Sequence, residues 1–231
     1  MIESRSIDRG FRKRGLRSTA LRWIQLLVGF FLFGIAISLM IRSDLGLGPW
    51  DAFHVGLHLL TGMTVGVASI VVGVVIVLGT LLIGVRPGPG TLANMVLIGI
   101  FVDLLLPVVP TAEGWALGLL YFLVGVALSG LATGMYIATG LGKGPRDGMM
   151  VGISQRTGWP VRHVRTGIEL SVLALGWLMG GKIGLGTVIF TLTIGWSAQW
   201  GLQLFGFSPT GEVRRPEPPM TDAESPCPAP A

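Results

Sequence analysis

Asp44-Leu45-Gly46-Leu47-Gly48-Pro49-Trp50-Asp51 separates two apolar runs, and the chain carries it twice. At an offset of 96 residues stands Gly140-Leu141-Gly142-Lys143-Gly144-Pro145-Arg146-Asp147. The match runs on without a gap through Val55/Val151, Gly56/Gly152, Thr61/Thr157 and Gly62/Gly158. At the same offset Gly84/Gly180, Arg86/Lys182, Gly88/Gly184, Gly90/Gly186, Thr91/Thr187 and Gly99/Gly195 pair up, and upstream Gly29/Gly125 and Gly34/Gly130. One constant offset over most of both halves marks an internal duplication, and a repeat governs every later assignment of the fold.

The 231 residues are 51% hydrophobic and 13% charged, against roughly 25% charged in soluble domains. Mean hydropathy is +0.71. Long uncharged runs belong in a bilayer, where only helices and closed barrels satisfy the backbone. These runs are too continuous for barrel strands. The one cysteine, Cys227, excludes an intramolecular disulfide.

Six spans are expected, at Arg22–Ile41 and about 64–84, 91–109, 115–139, 162–180 and 185–205. Each approaches the ~20 residues needed to cross the hydrocarbon. Arg22–Ile41 is too long for a signal-peptide core and lacks a small-residue cleavage site, so it reads as a retained helix. With the amino terminus inside, the basic tail, Arg22, Arg86, Lys143, Arg146, Arg156, Arg162, Arg165, Arg214 and Arg215 fall inside, and only Arg42 and Lys182 outside. That distribution obeys the positive-inside rule and accounts for the net charge of +5 without a nucleic-acid partner. Three crossings per repeat reverse the second copy. The expected architecture is therefore an all-α membrane protein of about six spans in two inverted three-span repeats. The expected segments are a basic cytoplasmic tail at 1–20, membrane repeats at 21–110 and 115–206, and a disordered Pro-rich cytoplasmic tail at 207–231.

Within each repeat Gly46, Gly48 and Pro49, and likewise Gly142, Gly144 and Pro145, break the helix. Glycine is costly in a helix and the residue before proline avoids the α region. Proline then suits the first turn of a new helix, and Asp51 and Asp147 lie in that turn, where a carboxylate favours the free N–H groups. The following segments, Trp50–Leu60 and Arg146–Arg156, are too short to cross. They are re-entrant half-helices or helices lying at the interface. Two readings stand. In one, Gly46, Gly48, Pro49, Asp51, Gly142, Gly144, Pro145 and Asp147 form a solute site between broken helices, with Lys143 and Arg146 assisting at the inner face. In the other, the motif is a folding device of turns and caps.

Glu169, within the fifth span, and Asp103, within the third, are candidate coupling groups, because an intramembrane acid is a functional candidate. Arg165 one turn before Glu169 offers a local ion pair instead. Gln199 is the repeat partner of Asp103. Asp51, His54 and His58 share a helical face, but the second repeat has Met150 and Ser154 in place of the histidines, so no metal is assigned. No nucleophile–base set, zinc spacing or phosphate loop is present, so no cofactor and no enzymatic role is expected.

The residues at 44–51, Gly56, Thr61-Gly62 and 140–147 resemble the YczE/YitT family of bacterial integral membrane proteins over about residues 22–206. The short Pro-rich tail is closer to the YczE branch. The resemblance implies a multi-pass plasma-membrane protein and brings no substrate, reaction or catalytic residues. The family pattern has an acid ahead of the first glycine, where the second copy has Gly140. The expected function is a transporter or permease-like protein for a small solute. The alternative is a non-transporting membrane scaffold or regulator.

Overall fold

The computed structural model describes residues 19–142 and 144–206. The two tails and Lys143 lie outside the described residues. Among these residues the chain forms eight helices and no strand: α1 Thr19–Arg42, α2 Pro49–Thr61, α3 Val65–Leu82, α4 Pro89–Leu105, α5 Trp115–Ile137, α6 Pro145–Thr157, α7 Val161–Leu178 and α8 Leu185–Leu204. Three of them, α1, α3 and α5, are both long and apolar enough to cross a membrane, and α4 is apolar but shorter. The helices α7 and α8 have the length, at 18 and 20 residues, but are less uniformly apolar: Arg162, His163, Arg165 and Glu169 interrupt the first, and Thr191, Thr193, Ser197 and Gln199 the second.

Local chemistry sets the breaks. Gly48 and Gly144 sit at the N-caps of α2 and α6 with extended ψ of 160° and 154°, and Pro49 and Pro145 open the helices. Gly62 and Gly158 end them in the left-handed region, where a Cβ is penalised. The helix ends are also closed identically: His58 Nδ1 donates to the Met63 carbonyl at 2.6 Å, and Ser154, its repeat partner, donates to the Trp159 carbonyl at 2.6 Å. An imidazole and a hydroxyl thus do one job, and His58 is engaged by a carbonyl.

The core lies between α1 and α5. Leu26, Phe30, Ile37 and Met40 of α1 meet Phe122, Val126 and Tyr136 of α5, with Val65, Ile98 and Val102 closing the layer. Helix α4 packs on the far side of α1 and α8 on the far side of α5. The short helices cross over: α2 packs on α7, and α6 on α3. Each of these pairings has its counterpart in the other repeat, since α1–α4 correspond to α5–α8. Close approach depends on glycine. A Cβ on Gly125 would stand 2.9 Å from the Ala36 carbonyl oxygen, and one on Gly201 would meet the Gly130 backbone head-on. Outside, Leu78, Leu82, Leu120, Leu170 and Leu192 are exposed, while Ser38, Ser43, Thr80, Ser129 and Thr139 are buried. Small and hydroxylated residues inside with large apolar residues outside suit a lipid solvent.

Candidate functional site

The two glycine turns are each completed by the other repeat. Leu47 N–H donates to the Lys182 carbonyl at 3.1 Å, and Gly186 N–H donates to the Leu45 carbonyl at 2.7 Å. In the opposite direction Gly90 N–H donates to the Leu141 carbonyl at 2.9 Å. These contacts define two ends of the bundle. Asp44 and Lys182 form an ion pair at one, and a polar cleft of about 350 Å³ lies over that junction. Leu141 and Gly88–Gly90 meet at the other, the Arg86 end. Gly46 has φ +111° and Gly142 has φ +147°. A Cβ on Gly46 would come within 2.5 Å of the Gly184 nitrogen, and one on Gly142 within 2.7 Å of Thr91 Oγ1. Both glycines therefore serve the turn-to-turn junction. Asp44 itself has φ +59° and its partner Gly140 has φ +67°. The position demands left-handed backbone, which aspartate tolerates and glycine adopts freely, so the acid can be lost from the second copy without disturbing the turn.

Gly46→Ala should consequently lower thermal stability in detergent by about 5 °C or more. Left-handed backbone costs a non-glycine roughly 1–2 kcal/mol, the blocked backbone contact adds to it, and each 1 kcal/mol is worth about 2–4 °C at this size. Gly48→Ala, with ordinary φ of −62° and only the Phe190 ring in its way, should cost less. Equal losses in the two variants would remove the junction argument.

Beyond the turns the two half-helices direct their first residues at each other. The Arg146 guanidinium lies 4.6 Å from the centre of the Trp50 ring, stacking the start of α6 against the start of α2. Its charge interacts with Asp51, Asp147 and Tyr136 and, at longer range, with Glu169. No hydrogen bond or ion pair joins the guanidinium to any described residue. Asp51 is buried on the same turn. His54, one turn on and 2% exposed, buries an Nε2 that has no hydrogen-bond partner among the described residues. From the core side the Tyr136 hydroxyl donates to Asp147 Oδ2 at 3.5 Å. A Cβ on Gly144 would look onto Asp147 Oδ2, Tyr136 Oη and Asn94 Oδ1 at 3.5–3.8 Å.

The structure thus brings Gly48, Pro49, Asp51, Gly144, Pro145 and Asp147 around one centre and leaves Gly46 and Gly142 in the turns at either end. Glu169 stands on α7, bonded to Arg165 at 2.9 Å. Asp103 is away from the centre, at the end of α4, where it accepts from Gly66 N–H at 2.7 Å and from the Thr64 hydroxyl. Sequence reasoning named Arg146 as a helper and did not find Trp50, His54, Tyr136 or Asn94 as members of the centre. Trp50 and Arg146 occupy equivalent positions of the two copies, and that was the available signal. Among the described residues no three His, Cys, Asp or Glu side chains converge as a metal would need.

An apolar exterior, small buried residues and helices long enough to cross a bilayer, gathered around a charged centre, make this a helical membrane protein. The particular family follows from comparison: residues 20–202 match the profile of DUF6198, a family of unknown function, and the chain belongs to it. It is 41% identical over 177 residues to the "Uncharacterized membrane protein YczE" of Bacillus subtilis, covering 76% of this chain and 82% of that one. It is also 34% identical over 184 residues to a Haemophilus influenzae protein, covering 80% and 84% of the two chains, and 30% identical over 189 residues to YyaS of Bacillus subtilis, covering 80% and 91%. These relatives support the YczE-like resemblance of the motifs. No solved structure matches the chain.

Proposed function

We propose that the chain is a permease-like transporter of a small polar solute in the bacterial plasma membrane. It crosses six times as two inverted repeats, with both termini and the Arg86 end in the cytoplasm. The observation that carries this reading is Arg146: a guanidinium held between two helix N-termini, stacked on Trp50, with its hydrogen-bond donors unused by the described residues. A half-buried planar donor is suited to a carboxylate or other planar anionic group. The open His54 Nε2 and the Asp51 carboxylate add a second polar pole one helical turn away. The two glycine turns lie at opposite ends of the bundle, which supports the inverted arrangement, because an in-plane twofold relation carries one end onto the other.

The test uses Gly144→Cys in a Cys227→Ser chain, since a side chain at 144 meets polar atoms at ordinary contact distance. Membrane-impermeant thiol reagents are applied from each face of sealed vesicles. Reaction from both faces is the expected result. Reaction from one face only, or from neither, overturns the reading and leaves the motif a static cap.

A further inference from the structure

The two repeats differ where they should be alike. In the first, α3 and α4 pack backbone on backbone. A Cβ on Gly66 would strike the Gly99 carbonyl oxygen, and one on Gly99 would stand 2.6 Å from the Gly66 oxygen and from Ile70 Cγ1. Asp103 fastens this contact from α4 by accepting from Gly66 N–H and Thr64. The equivalent helices α7 and α8 share no comparable packing. Gly195, the partner of Gly99, would find nothing within 4 Å of a Cβ. Arg162, the partner of Gly66, and Thr166, the partner of Ile70, are exposed. Thus the α3/α4 seam is shut at the Asp44 end, while the α7/α8 seam gapes at the Arg86 end.

We infer that these seams are the two gates of an alternating-access cycle, and that the structure is its inward-open state. In the outward-open state α7 docks on α8 with Gly195 in the role of Gly99, and α3 leaves α4. The inference rests on the transporter reading above. Its chemistry accounts for the state observed. Asp103 gives the first gate charge-assisted hydrogen bonds, and such bonds are the strong ones. The second gate has Pro160 where the first has Thr64, and Gln199 where it has Asp103. Its latch is therefore weaker, and the resting population lies on the Asp103-latched side. Arg162, Arg165 and Glu169 stand on α7 near this end, Arg165 pairs with Glu169, and the Glu169 charge reaches Arg146. A polar solute entering from the Arg86 end meets a charged approach to the centre.

Cysteine pairs read the two gates in the Cys227→Ser chain. Gly73→Cys with Met95→Cys replaces a contact already made across α3 and α4: a Cβ at 73 stands 3.5 Å from Met95 Cβ, and shortening residue 95 makes room for the new thiol. Thr166→Cys with Gly195→Cys marks the counterpart of the Ile70–Gly99 contact, which the structure leaves open. Both pairs are expected to form intramolecular disulfides in native membranes, the first fast and the second slowly. A chain carrying all four is expected to hold one disulfide or the other, never both. Asp103→Asn, which weakens the first latch, should raise the rate of the second cross-link about tenfold. With Gly144→Cys added, a locked first gate leaves labelling from the Arg86 face alone, and a locked second gate reverses the face. A 166/195 pair that never closes, or that closes only between two copies on a gel, overturns the inference. If Gly144→Cys still labels from both faces in that case, solute access survives and only the gate assignment falls. If it labels from neither, the transporter reading falls as well.

Discussion

Gly201→Leu is expected to abolish recovery of folded, monodisperse protein from the membrane. The helices α5 and α8 cross backbone to backbone at Gly134 and Gly201, with Ser197 the small side chain beside the crossing. A Cβ on Gly201 points at the Gly130 carbonyl, one on Gly134 at the Gly201 backbone, and one on Gly130 at the Ser197 backbone. Apart from the Ser197 hydroxyl these obstacles are main chain, which cannot rotate aside as a side-chain tip does. Ordinary overpacking costs about 1–3 kcal/mol. Forcing two helix axes apart also loses the dispersion contacts that drive association in lipid, where burial supplies no hydrophobic force. Ser197 Oγ, which donates to the Val126 carbonyl at 2.7 Å, would be pulled from its acceptor. Size-exclusion profiles of the detergent extract check this. Gly195→Leu is the matched control on the same helix, at a position facing open space, and should leave the folded fraction unchanged. Loss in both variants would mean that leucine itself, and not the crossing, is the cause.

The second large effect is expected from Arg146→Gln. The change leaves Asp51 and Asp147 without the cation that interacts with both. Asp51 is buried and Arg146 and Asp147 are half-buried, so removing the cation costs on the order of 3 kcal/mol, because the acids lose their compensating charge. At about 2–4 °C per kcal/mol the melting temperature should fall by roughly 10 °C. Adding Asp51→Asn should restore much of the loss, since it removes the charge left over, and coupled residues depart from additivity in this manner. Arg146→Lys should sit between the wild type and Arg146→Gln, keeping the charge and losing the planar stack on Trp50. A double variant as unstable as the sum of its parts would show that Asp51 and Arg146 do not answer one another.

The duplication was legible because both copies spend glycine and proline in the same places, and the helix breaks at 48–49 and 144–145 follow from that alone. The half-helices themselves were legible for the same reason. What each turn rests against was not. Gly88, Gly90, Gly184 and Gly186 stand out in the sequence only as matched positions of the two copies, whereas they accommodate the glycine turn of the other repeat, and pairing such as Gly90 with Leu141 or Gly186 with Leu45 leaves no local pattern. The gathering of Trp50 with Arg146 was also hidden, since a cation and an aromatic at matched positions look like interfacial residues until two helix starts are placed nose to nose. Asp103 shows the opposite case. It was visible as an acid in an apolar run, yet only the contact with Gly66 shows that it is spent on a backbone N–H.

The crossed turns also bear on how the chain is made. Leu47 leaves the ribosome with its N–H unanswered, and the carbonyl that accepts from it belongs to Lys182. At roughly 5–20 residues per second the 135 residues between them take about 7 to 27 s to synthesise. During that interval the first half sits in the bilayer with its turn open, and Gly90 waits in turn for Leu141. The first half therefore cannot complete its own turn, and the two copies close each other only once residue 182 has been made.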